Sequence, residues 1–155
     1  MKAEARFAEL GLELPPASRP VGTYRTIVQV GDLCYLSGHG PLKSDRTLWK
    51  GRVGDELTVE EGSDAARQVA LAMLATLKSH LGSLDRVARV VRVFGMVHAT
   101  PEFAEHPRVM DGFSDLLVDV FGEDGRGVRS AVGMSSLPEN ITVEVEATIQ
   151  VRELE

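Results

Sequence analysis

The chain has 155 residues, 43% hydrophobic and 26% charged, with a formal net charge of −6. That size suits one domain that buries its own core without disulfide or metal. The acidic balance argues against broad nucleic-acid binding, which depends on clustered Lys and Arg. The only cysteine, Cys34, lies in the apolar run Leu33–Leu36 and reads as a small buried hydrophobe.

Residues Met1 to about Leu12 read as a short helix stopped at Gly11, followed by an extended segment enforced by Pro15, Pro16 and Pro20. The first residues carry charge and no long apolar stretch, unlike a secretion signal, and no window reaches the roughly 20 apolar residues of a membrane span. The expected location is the cytoplasm. Thr26–Val30 and Leu33–Ser37 form a predicted hairpin across Gly31-Asp32. The stretch from Gly38 to Leu57 is rich in glycine and charge, and is expected to be a loop with little structure of its own.

Thr58-Val59-Glu60-Glu61 fits a capping box. Val69, Met73, Leu77 and Leu81 then repeat every four residues, and Gly82 follows as a C-cap. Val87–Ala99 is a predicted strand with Val91, Val93 and Val97 on one face and Val90, Arg92, Phe94 and Met96 on the other. Both faces are therefore expected to be covered. A second helix is predicted to begin at Thr100-Pro101, to carry Phe103, Val109, Phe113 and Leu117, and to end at Gly122. Val128–Ser135 is a further strand. Ile141–Val151 alternates apolar and polar residues with strict period two, the pattern of an antiparallel strand with one face on a core.

The order is α+β, with two long helices that can cover only one face of a sheet. An apolar second face on the central strand then marks an interaction surface, for which a closed homo-oligomer is the usual solution.

The four histidines lack metal-site spacing, no CxxC occurs, and there is no GxSxG elbow, so neither a metal nor a cofactor is expected. Gly38-His39-Gly40 lacks the remaining features of a phosphate loop. Val128-Arg129-Ser130-Ala131-Val132 sets an arginine inside an apolar strand. Such an arginine serves either in a structural ion pair or as a two-point grip on a carboxylate, and Glu144 on the last strand is a candidate neighbour.

Leu36-Ser37-Gly38-His39-Gly40-Pro41, Val128–Val132, and Leu137-Pro138 followed by Val143–Ala147 together resemble the signature of the Rid family. The family is also called YjgF or liver perchloric-acid-soluble protein (L-PSP endoribonuclease). The match runs from about Gly22 to Val151, leaving residues 1–20 as an N-terminal extension. Phe113–Leu117 with Phe121-Gly122 is similar to its chorismate-mutase-like branch.

The resemblance implies a bacillary chorismate-mutase-like mixed sheet with two helices on one face, a homotrimer, and sites in clefts between subunits. It implies hydrolysis of reactive enamines and imines, such as 2-aminoacrylate, to 2-oxo acids and ammonia. On matching positions Arg129 grips a substrate carboxylate, Glu144 positions water, Tyr24 lies in the site, and Gly38 and Ala131 offer backbone groups. Departures from the family pattern are His39 for glutamine, Ala131 for cysteine, Asp111 for asparagine, and a longer loop at 42–57. The alternatives are a trimer that binds a small carboxylate metabolite without turnover, and the family's older label of ribonuclease.

Overall fold

The computed structural model describes residues 1–153. The helices are α1 (Ala3–Glu9), α2 (Val59–Leu81) and α3 (His106–Phe121). The strands are β1 (Ile27–Val30), β2 (Leu33–His39), β3 (Val87–His98), β4 (Val128–Met134) and β5 (Val143–Val151). They form one five-stranded sheet in the order β1-β2-β5-β3-β4. Only the β3–β4 pair is parallel; α3 makes the crossover between these two strands.

Local chemistry explains several element ends. Thr58 Oγ1 accepts from the Glu61 amide at 3.1 Å while the Glu61 carboxylate accepts from the Thr58 amide at 3.2 Å, so both halves of the capping box form. Gly82 closes α2 in the left-handed region at φ 83°, where a side chain would be strained. The β1–β2 hairpin turns at Gly31, φ 61°.

The helices α2 and α3 pack on each other and on one face of the sheet. The core beneath them takes Leu36 and Cys34 from β2, Val93 and Val97 from β3, and the odd-numbered residues of β5 from Val143 to Val151. The other sheet face has no helix over it. By register, Val28 and Tyr35, Val30 and Leu33, and Phe94, Met96 and Val128 lie there. Val30 is 63% exposed and Val128 68%.

Three expectations need correction. The second long helix starts at His106 and not at Thr100-Pro101. The Thr100 amide instead donates to the Val53 carbonyl, holding Thr100 against the preceding loop, and Pro107 is the proline in the first helical turn. The facing along β3 is also different: register shifts between Val87 and Arg89 and between Val90 and Arg92 turn Val90 into the core and leave Val91 exposed. Finally, residues 38–57 are well organised. Residues through His39 belong to β2, Leu42 bridges Leu48, Lys50 bridges Ile141, and Val53 bridges both Leu57 and Ala99.

Candidate functional site

The residues singled out by sequence fall into two groups. The first surrounds Glu144. Val145 points into the core, so Glu144 stands on the open face beside Met96 of β3. A break in the β2–β5 register between Leu36 and His39 brings Gly38 against it. A Cβ built on Gly38 would lie 2.8 Å from Glu144 Cδ, so only glycine lets the carboxylate occupy this position. Tyr24, Gly38, His39 and Glu144 line one cleft of about 470 Å³, whose apolar wall includes Leu48 and Ile141. Val21 N–H donates to the Tyr24 hydroxyl oxygen at 3.1 Å, which leaves the phenolic proton free to donate. Burial pushes the Glu144 carboxyl above the ordinary glutamate value, and the nearby Glu146 charge adds to this.

His39 borders the cleft, yet its ring is only 2% exposed and both nitrogens are engaged. Nδ1 is 2.6 Å from the Ser37 carbonyl and Nε2 is 2.8 Å from Thr76 Oγ1 on α2. The carbonyl can only accept, so Nδ1 carries the proton and Nε2 accepts from Thr76. Burial lowers the histidine pKa, against the opposing pull of the Ser37 carbonyl. His39 thus borders the cleft as expected, while its polar atoms tie the Gly38 bulge to α2.

The second group surrounds Arg129. Arg129 lies opposite Val93, a buried core residue, and so faces α3. Its Nη1 donates to Asp111 Oδ1 at 3.0 Å and to Ser114 Oγ at 3.2 Å, and its Nη2 to the Pro107 carbonyl at 3.4 Å. A guanidinium has five N–H donors, so Nε–H and one Nη2–H remain without a partner in this chain. Ala131, opposite Gly95, lies on the same face two residues along β4. Ser114 was not foreseen; its position three residues after Asp111 puts both on one face of a helix, a spacing that could have revealed it.

Within one chain the two groups do not meet. Glu144 on β5 is paired with Met96, Arg129 on β4 with Val93, and β3 runs between them. The two side chains also leave opposite faces of the sheet. Glu144 as an intrachain neighbour of Arg129 is therefore corrected; Asp111 takes that place. Among the described residues no cluster of three or more His, Cys, Asp or Glu side chains is placed to hold a metal, and no described helix is long and apolar enough to cross a membrane.

Comparison with known proteins gives a consistent result. "Protein TCP17" of Trypanosoma cruzi is 39% identical over 96% of this chain and 94% of its own. A solved structure of a "putative endoribonuclease" from Shewanella oneidensis is 33% identical, with TM-score 0.93 over 97% of this chain and all of the other, 100%. A 2-iminobutanoate/2-iminopropanoate deaminase of Dermatophagoides farinae is 28% identical over 89% of this chain and 93% of that protein. The family model described as YjgF/chorismate mutase-like, putative endoribonuclease matches residues 4–147. The chain belongs to this family, also known as Rid.

Proposed function

We propose that the protein is a homotrimeric imine and enamine hydrolase whose site forms between two chains, Arg129 coming from one and Glu144 from the next. The carrying observation is that each half is prepared for ligand while neither is complete. Arg129 keeps two free donors at one sheet edge, and Glu144 waits on an uncovered sheet face across β3. Assembly through that face would cover Val28, Val30, Tyr35 and Val128, apolar side chains now exposed to water.

The chemistry needs little machinery. A 2-imino acid has an electrophilic C=N carbon, and its carboxylate docks on the Arg129 fork. Glu144 holds a water, takes its proton as the oxygen attacks carbon, and returns a proton to nitrogen. The hydroxyl proton of the resulting carbinolamine then passes through Glu144 to the amine as the C–N bond breaks, giving a 2-oxo acid and ammonia. A carboxyl with a raised pKa suits both steps, because it holds and releases a proton closer to neutrality than an ordinary glutamate. The Tyr24 hydroxyl and the backbone at Gly38 line the same cleft and supply orientation.

The test is ammonia release from freshly generated 2-aminoacrylate or 2-iminobutanoate, above the spontaneous rate. A second reading, a carboxylate-binding trimer without turnover, draws on Asp111, which puts a negative charge on the arginine that must receive an anion. That reading predicts 2-oxo acid binding and no acceleration. The ribonuclease reading has less support, since His39, its candidate base, is engaged with Ser37 and Thr76.

A further inference from the structure

The Glu144 cleft contains two cations that the hydrolysis leaves unused, Arg19 and Arg46. Six arginines of this chain form ion pairs: Arg52, Arg86, Arg89, Arg108, Arg126 and Arg129. Among the described residues neither Arg19 nor Arg46 enters one.

Arg46 reaches the cleft from a purpose-built support. Residues 41–49 form a small hairpin: Trp49 N–H donates to Pro41, Lys43 N–H to Thr47, and Leu42 bridges Leu48. The stem is braced by Gln68 Nε2 of α2, which donates to the Leu42 carbonyl at 2.7 Å, and by the Lys43 ammonium 5.3 Å from the Trp49 ring centre. Arg46 sits at the tip with φ 69°, a left-handed conformation that costs a non-glycine residue about 1 kcal/mol. Its neighbour Asp45 does not pair with it; Asp45 Oδ1 instead accepts from both the amide and the hydroxyl of Thr47.

We propose that Arg46, assisted by Arg19, binds a second acidic group of the substrate, so that the preferred ligands are short dicarboxylic 2-imino acids and their 2-oxo products. This rests on the site reading given above. The first carboxylate goes to Arg129, the imine carbon to Glu144, and the side-chain carboxylate to Arg46. Leu48 and Ile141 line the wall of the cleft and suit a one- or two-methylene spacer. Charge selects carboxylate over phosphate: Glu139 and Glu144 balance the two arginines, so the cleft carries little net positive charge to offset the larger desolvation cost of a doubly charged group.

The experiment compares 2-oxoglutarate, 2-oxobutanoate and 3-phosphonooxypyruvate by calorimetry, and the turnover of 2-iminoglutarate against 2-iminobutanoate made in situ. The variants are Arg46→Gly, which keeps the left-handed tip, and Arg46→Glu. The wild type should favour the dicarboxylate by about tenfold or more, the value of a lost charge-assisted contact. Arg46→Gly should remove most of that preference and Arg46→Glu should reverse it. An equal affinity for mono- and dicarboxylate in the wild type, binding of neither, a preference that survives Arg46→Gly, or stronger binding of the phosphate compound would each overturn the assignment. Dicarboxylate preference without imine turnover would leave the subsite standing and remove the hydrolase reading. Turnover without preference would do the reverse.

Discussion

The two halves of the candidate site differ in how far each is already satisfied. On the β4–α3 side, Arg129 is held by Asp111, Ser114 and the Pro107 carbonyl, so its orientation is set before any ligand arrives. On the β2–β5 side, Glu144 enters no ion pair among the described residues and is raised in pKa by burial. One half is rigid and partly neutralised; the other is strained electrostatically and ready to exchange a proton. Binding and proton transfer make opposite demands on a charged group, and the residues proposed for them lie on opposite faces of one sheet.

The largest effect should come from Glu144→Gln. Turnover of 2-iminobutanoate should fall about 100-fold or more, while 2-oxobutanoate affinity changes little. A comparable loss of affinity would show that Glu144 also grips the ligand and would erase the division of labour. The same variant has a stability signature. A carboxyl whose folded pKa is raised gives stability that is fully present below its unfolded value, about 4.3, and is lost as pH rises through the folded value. Glu144→Gln should therefore melt at higher temperature than wild type near pH 7, and the gap should close as pH drops below about 4.

Arg129→Ala comes next. Loss of a charge-assisted contact worth about 1.5–3 kcal/mol should weaken 2-oxo acid binding about ten- to a hundredfold, as read by calorimetry. Arg129→Lys should recover little, because the planar fork is gone. The Asp111 carboxylate is largely in solvent, with side-chain exposure 55%, so freeing it should cost well under about 1 kcal/mol of stability.

Below these stands His39. Replacement by leucine leaves the Ser37 carbonyl without its side-chain donor and the Thr76 hydroxyl with only the Ala72 carbonyl, 3.4 Å away, and should destabilise the chain by about 1–2 kcal/mol. Glutamine offers one donor and one acceptor and should stay close to wild type at neutral pH. The histidine pKa is depressed in the folded chain, so its contribution is present above the unfolded value, about 6.5, and is lost as pH falls through the folded one. Wild type should thus lose stability relative to His39→Gln on acidification from about pH 7 to 5.

The smallest effect belongs to Asp111→Asn. The hydrogen bond to Arg129 can persist without the charge, so anion affinity should rise a few-fold, and less at high salt.

What could be read from the sequence tracks how local each interaction is. The Thr58–Glu61 capping box and the Gly82 stop depend on residues three or four apart, and both formed as expected. The start of α3 was read at Thr100-Pro101, where a proline suits a first turn; the Thr100 amide is instead held by Val53, nearly fifty residues away in sequence, and the helix starts at His106. The hairpin carrying Arg46 was missed for a related reason, since its brace comes from Gln68 and its base from Ile141. Strand alternation placed Glu144 on the polar face correctly, but the register that separates it from Arg129 is a property of three strands together. For Arg129 itself, the residue types narrowed the role to ion pair or carboxylate grip, and the geometry accommodates both.

The claim that one site spans two chains is open to a direct measurement. Arg129→Ala and Glu144→Gln chains, each inactive alone, are co-expressed with different tags and the mixed assemblies isolated by tandem affinity. In a cyclic trimer every mixed assembly contains one interface with both residues intact, so about one site in three should work. Ammonia release from 2-iminobutanoate should then run at about a third of the wild-type rate per trimer. Mixed trimers as inactive as either parent would contradict the claim.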